Sequence, residues 1–167
     1  MSSRPVVVLV GPMGAGKTRV GKRVARLLDT EFSDTDRMVV AQHGPIADIF
    51  HEHGEPHFRN LERAAVAEAL AGEGVVSLGG GAVLDARTLE DLRDHRVVFL
   101  TVQPRAVEGR LGGGKRPLIR NGLDDWQRIF DERRHLYDAV SDIVVDTSFR
   151  AYDEIAEEVA EWARTPA

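Results

Sequence analysis

Val6-Val7-Val8-Leu9-Val10-Gly11-Pro12-Met13-Gly14-Ala15-Gly16-Lys17-Thr18 decides the fold. Its first five residues are apolar and four are β-branched. A strand with no polar face suits a sheet covered on both sides. The next eight residues fit G-x-x-x-x-G-K-[ST], and helical patterning begins at Lys17. Between a strand and a helix, such glycines let successive backbone N–H groups curl around phosphate oxygens, and the helix N-terminus adds positive potential. The spacing predicts that Gly14, Ala15 and Gly16 form the cradle, that Lys17 reaches the β- and γ-phosphates, and that Thr18 offers its hydroxyl to Mg²⁺.

Further apolar runs recur outward from this loop: one ending near Ser33, then residues 75–78, 97–102 and 143–145. All are expected to be buried on both faces. Helical patterns cover residues 17–28, 37–43, 58–70, 86–93, 105–111, 126–136 and 152–163. This alternation predicts βαβ units around a parallel sheet. In the last helix Ile155, Val159 and Trp162 share a face and should meet the sheet, while Val66, Leu70 and Ile129 read as core. The length of 167 residues suits a single domain, residues 1–167. One stretch breaks the alternation: residues 112–122, glycine-rich, basic and aperiodic. A lid segment over residues 112–124, carrying Arg116 towards a phosphate, is expected there. Trp126 follows at once, and is either a reporter of that lid or a buried anchor of its own helix.

Composition removes several functions. Lys and Arg total 22 against 27 Asp and Glu, a net charge of -5, so a basic surface that wraps nucleic acid is not expected. The absence of cysteine excludes disulfides, thiolate catalysis and cysteine zinc sites. No apolar run is long enough for a secretory signal or a membrane span, so a cytoplasmic protein is expected. Neither Asn-Lys-x-Asp nor Asp-x-x-Gly occurs, which argues against a GTPase switch, and the run at 75–78 ends in Gly79 where a motor ATPase would carry Asp. Size and lid point instead to a small-molecule kinase.

Other residues suggest the acceptor side. Asp34 and Asp36 flank Thr35; on an extended segment both would point into one crevice, although Asp36 could also cap the following helix. Arg59 and Glu62 are spaced as helix neighbours, which fits either a surface pair or a site. Gly79-Gly80-Gly81 strips side chains from the carboxyl end of a strand, where α/β sheets bind ligands. His51, His53 and His57 read as a solvated helix end rather than a metal site.

Together these features resemble shikimate kinase. The likeness rests on residues 11–18, Asp34-Thr35-Asp36, Ile46-Ala47-Asp48-Ile49-Phe50, Phe58-Arg59 with Glu62, Ser77-Leu78-Gly79-Gly80-Gly81, Arg116-Pro117-Leu118, and Arg133 four before Tyr137. It implies a three-layer α/β fold: a five-stranded parallel sheet in order 2-3-1-4-5, flanked by helices, with the lid loop and a substrate-binding subdomain over about residues 34–62. It also implies ATP- and Mg²⁺-dependent phosphorylation of the 3-hydroxyl of shikimate, on the route to chorismate and the aromatic amino acids, by a monomer that binds neither nucleic acid nor membrane. The implied catalytic residues are Lys17, Asp34 and Arg116. Gly14 to Thr18, Arg110 and Arg116 would bind the nucleotide, and Thr18 with Asp34, the latter through water, would hold the metal. Asp36, Arg59, Gly80, Gly81 and Arg133 would bind shikimate, with Arg59 and Arg133 on its carboxylate. Two departures stand out. His135 replaces a common proline, which leaves Arg134 as an alternative to Arg133, and residues 147–152 lack a proline that many members carry beside adenine. Another small-metabolite kinase, such as a gluconate kinase, or a nucleotide sensor without catalysis are the other readings.

Overall fold

A computed structural model of the protein describes residues 4–111 and 121–166. The chain opens with β1 (Pro5–Val10), α1 (Lys17–Leu27), β2 (Phe32–Asp34), α2 (Thr35–His43), α3 (Ile46–His53) and α4 (Glu55–Leu70). It continues through β3 (Gly74–Ser77), a single 3-10 turn (Ala82–Leu84), α5 (Ala86–Leu92), β4 (Val97–Thr101) and α6 (Pro104–Glu108). The last elements are α7 (Leu123–Val140), β5 (Ile143–Asp146) and α8 (Tyr152–Arg164). The five strands form one parallel sheet in the order β2-β3-β1-β4-β5. This is the expected architecture and order.

The chain leaves the central strand β1 in one direction to reach β2 and β3, and later crosses to β4 and β5. Such a switch point opens a crevice beyond the carboxyl ends of the strands. Asp34 ends β2, Ser77 ends β3, and the loop from Gly11 follows β1, so all three meet at that edge. The register aligns them further: Ser77 pairs with Leu9 on one side and Asp34 on the other.

Val7, Val8 and Leu9 of β1 and Val97 to Leu100 of β4 are fully buried, as unbroken apolar runs require. The edge strand β5 behaves differently: Val144 is 53% exposed while Val145 is buried. The expectation that every strand is covered on both faces is corrected there. On α7 the buried residues Trp126, Ile129, Phe130, Arg133 and Tyr137 make one stripe, and Phe99 of β4 meets both Phe130 and Tyr137. Val66 and Leu70 of α4 are core as expected, and so are Ile155 and Val159 of α8. Trp162 is only partly buried and stacks under the Arg96 guanidinium at 4.2 Å. A second, smaller core of Val39, Ile49, Phe58 and Ala65 joins α2, α3 and α4.

Several boundaries differ from the sequence reading. α3, a helix of eight residues between Pro45 and Gly54, is too short to stand out in the helical pattern of the sequence. α4 begins at Glu55 with Pro56 in its first turn, where a missing N–H costs nothing. α6 ends at Glu108 rather than 111, and α7 starts at Leu123, so residues 123–124 are helical. Residues 112–120, with Arg116 and most of the expected lid, lie outside the described residues. No helix among the described residues is long and apolar enough to cross a membrane.

Candidate active site

A cavity of about 630 Å³ lies at the switch point, lined by residues of the phosphate loop at one end and by Arg59, Glu62 and Arg133 at the other. The loop end is organised by what holds its carbonyls. Trp126 Nε1 donates to Met13 O at 2.7 Å, Arg110 Nη1 to Gly14 O at 2.7 Å, and Thr147 Oγ1 to Ala15 O at 2.7 Å. In a trans peptide the next N–H points the opposite way. The Gly14 and Gly16 amides therefore turn from these anchors towards the cavity that both residues line. The Ala15 N–H instead closes a long turn on Pro12 O at 3.3 Å. Gly16 caps α1 with φ 91, a left-handed conformation that favours glycine. Lys17 Nζ bridges Gly11 O and Pro12 O at 2.7 and 3.0 Å, which folds the ammonium back over the loop mouth.

Arg110 is tied on both ends, to Gly14 O and to Thr147 O at 3.1 Å, and its guanidinium lies 5.5 Å from the centre of the Tyr152 ring. Tyr152 itself lines the cavity beside Gly16. Sequence reasoning did not single out Trp126, Thr147 or Tyr152 for these contacts. Trp126 is 1% exposed, so burial wins over the lid-reporter reading, but its indole N–H serves the phosphate loop rather than its own helix.

Asp34 and Asp36 are not two residues of one extended segment. Asp34 ends β2 and caps α2: its Oδ1 accepts from the Asp36 and Arg37 amides at 3.0 and 3.3 Å. The cap is therefore Asp34, and Asp36 sits in the first turn of the helix. The other oxygen of Asp34 accepts from Thr18 Oγ1 at 2.7 Å. The buried hydroxyl of Thr35 accepts from the Gly79 amide at 2.9 Å and so fixes this corner to the end of β3. Burial pushes the Asp36 carboxyl above its ordinary range, and the Asp34 charge adds to this while Lys17 and Arg59 oppose it.

Arg59 and Glu62 are not a surface pair. Glu62 is 3% exposed, and its Oε1 accepts from Arg59 Nη1 at 2.9 Å. Burial raises the Glu62 carboxyl, against the opposing pull of Arg59. Glu55 Oε2 accepts from Arg59 Nε and Nη2 at 3.1 and 3.0 Å. These side chains explain the two outer glycines of the triplet, whereas a Cβ on Gly80 would meet only ordinary contacts. A Cβ on Gly79 would lie 2.5 Å from Asp36 Oδ1 and 2.9 Å from Glu62 Oε2, and one on Gly81 would run into the Arg59 guanidinium. Glu62, quoted in the sequence for its spacing alone, thus belongs to the charged wall.

Arg133 is 6% exposed and lines the cavity, whereas Arg134 is exposed and leans towards Asp138. Of the two candidates only Arg133 reaches the site. Three residues to either side of the expected proline, α7 runs unbroken, so His135 simply faces outward. Tyr137 donates to Gly80 O at 2.6 Å, and burial pushes its hydroxyl up to about 12. Ile46, Phe50 and Phe58 supply an apolar wall. His51, His53 and His57 are exposed, and no group of three or more His, Cys, Asp or Glu among the described residues could hold a metal ion. Thr18 and Asp34 instead offer hard oxygens beside the phosphate loop, a donor set that fits Mg²⁺ shared with nucleotide phosphates.

Comparison with known proteins agrees with this geometry. A family model described as shikimate kinase matches residues 13–164. A shikimate kinase from Salinispora arenicola is 50% identical, covering 93% of this chain and 96% of its own. One from Streptomyces avermitilis is 46% identical, with 93% of each chain covered. A solved shikimate kinase from Acinetobacter baumannii, in complex with shikimate, superimposes with a TM-score of 0.88 at 31% identity over 96% of this chain and 93% of that one. With its phosphate loop, its Asp34–Thr18 corner, and Arg59 and Arg133 in one crevice, the chain belongs to the shikimate kinase family.

Proposed function

We infer that this protein transfers the γ-phosphoryl group of ATP to the 3-hydroxyl of shikimate, giving shikimate 3-phosphate and ADP. The observation that carries the reading is the placement of two largely buried guanidinium groups, Arg59 and Arg133, at the far end of the cavity that begins at the phosphate loop. A single carboxylate on the acceptor matches that pair, because forked guanidinium groups take carboxylate oxygens in parallel. An uncharged sugar would make no use of this forked pair.

The roles follow from position. The Gly14 and Gly16 amides and Lys17 bind the phosphates, and Lys17 must leave the carbonyls of Gly11 and Pro12 to reach them. Asp36 and the Gly80–Gly81 backbone bind the acceptor hydroxyls. Asp34, held rigid by the α2 amides and Thr18, faces the reacting hydroxyl and orients it or receives its proton. Thr18, and Asp34 through water, would hold Mg²⁺, which would supply charge neutralisation on the nucleotide phosphates. Arg110 and Tyr152 border the base end of the cavity. By the family resemblance, Arg116 would add a cation for the transferring group, whose charge spreads over its oxygens. The separate core of Val39, Ile49, Phe58 and Ala65 supports residues 34–62 as an acceptor-binding subdomain. ATP as co-substrate supports a cytoplasmic setting.

The test is incubation with ATP, Mg²⁺ and shikimate, with the product weighed by mass spectrometry. Shikimate gaining one phosphoryl group is expected, and gluconate should stay unmodified. Phosphorylation of gluconate, or ATP binding without any phosphorylated product, would overturn the reading.

A further inference from the structure

We propose that Glu55 is a positioning residue of the acceptor site: by holding one edge of the Arg59 guanidinium, it keeps the other edge available to the substrate carboxylate. This rests on the acceptor reading given above.

A guanidinium has five N–H donors, arranged as a side edge formed by Nε and one terminal nitrogen, an end edge formed by both terminal nitrogens, and one further N–H. In this site three donors are engaged. Nε and Nη2 both donate to Glu55 Oε2, and Nη1 donates to Glu62 Oε1. One N–H remains on each terminal nitrogen, and the two oxygens of a carboxylate need two such donors. The guanidinium sits close to Gly81, where a Cβ would already run into its terminal nitrogens. Behind it is a second cavity of about 170 Å³, lined by Glu55, Glu62, Arg63, Asp85 and Thr88 as well as Arg59. Arg59 therefore stands in a wall between two spaces, with Glu55 fixing its outer edge.

Without Glu55, the nearest remaining carboxylate is the buried Glu62. Glu62 has a second oxygen, and a carboxylate prefers two parallel N–H bonds to one. Arg59 would then turn its end edge onto Glu62 or lean into the rear cavity, and either movement removes the donor pair that the substrate needs. A plain helix ion pair predicts something else. Glu55 and Arg59 are four residues apart on α4 and the Glu55 side chain is 42% exposed, so as a surface pair it would add a little helix stability and leave substrate binding unchanged.

Steady-state kinetics of Glu55→Ala and Glu55→Gln separate the two. Losing a charge-assisted partner predicts a shikimate KM raised on the order of tenfold in Glu55→Ala, with kcat and the ATP KM within about twofold of wild type. Glu55→Gln keeps an acceptor oxygen and should recover part of the loss. The methyl ester of shikimate, which lacks the anion, should be used about equally by wild type and Glu55→Ala. An unchanged shikimate KM in Glu55→Ala overturns the proposal. So does an equal rise with acid and ester, or a joint rise in both KM values with a fall in Tm, each of which marks a structural role. Wild-type protein that fails to phosphorylate shikimate at all would instead sink the functional reading on which the proposal stands.

Discussion

The two ends of the cavity are built on opposite plans. The phosphate end is eight consecutive residues whose working groups are backbone amides, aimed by carbonyl anchors from Trp126, Arg110 and Thr147. The acceptor end is made of side chains from three helices, namely Asp36 on α2, Arg59 and Glu62 on α4, and Arg133 on α7, set against the glycines after β3. Backbone donors survive any substitution short of proline, and they carry no net charge. The acceptor end sets buried acids against buried bases, and breaking a buried charge pair is far more costly than breaking a surface one. Single substitutions should therefore hurt the acceptor end more selectively, and its ionisation should mark the protein's pH response.

Arg59→Ala gives the largest expected effect. It removes half of the carboxylate clamp and strands Glu62, so calorimetry should show shikimate binding weakened by about 2–5 kcal/mol with ATP binding nearly unchanged. Equal loss for both ligands would erase the division between the two ends. Lys17→Ala tests the other end. The amides still hold the nucleotide but the cation at the transferring group is gone, so turnover should fall by about 10²–10³ while nucleotide affinity changes much less. Near-wild-type turnover would remove Lys17 from the chemistry.

Gly81→Ala is a milder test of the acceptor wall. The backbone there, at φ -96, accepts alanine, but the added methyl meets the Arg59 guanidinium and must push it aside. Shikimate affinity should drop by about tenfold, on the order of one displaced charge-assisted bond, with thermal stability little changed. A variant with normal affinity would show that the guanidinium does not need that position.

The pH response comes next. Burial raises the Glu62 carboxyl above its value in the unfolded chain. The folded state then holds the proton more tightly, so this contribution to stability is complete below the ordinary carboxylate range and is lost as pH rises through the raised value. Denaturant titrations from acid to neutral pH should show a shallower fall for Glu62→Gln than for wild type. A steeper fall in the variant would reverse the assigned direction. The smallest effect is optical. In a Trp162→Phe background, nucleotide should shift the Trp126 emission through the Met13 contact, and shikimate alone should leave it unchanged. A shift with shikimate alone would mean that the two ends are mechanically joined.

Much of this was legible in the residues. The strand–loop–helix unit at the start, the parallel sheet and the candidate positions at strand ends all follow from local patterns, because apolar runs, glycine spacing and helix periodicity are properties of neighbouring residues. Local pattern failed where the outcome depends on what lies across the fold. Arg59 and Glu62 read equally well as a solvated pair until packing against Gly79 and Gly81 buries them. Asp34 rather than Asp36 became the cap because α2 begins at Thr35, two residues before the helical pattern that starts at Arg37. Arg133 and Arg134 differ by a single step along α7, and only the rotation of that helix against β4 turns one into the cavity and the other to water. The sequence by itself determined the fold, the phosphate loop and the inventory of charges. Tertiary structure alone decided which charges face one another, because burial and pairing are set by contacts between segments far apart in the chain, and no short stretch of residues contains that information.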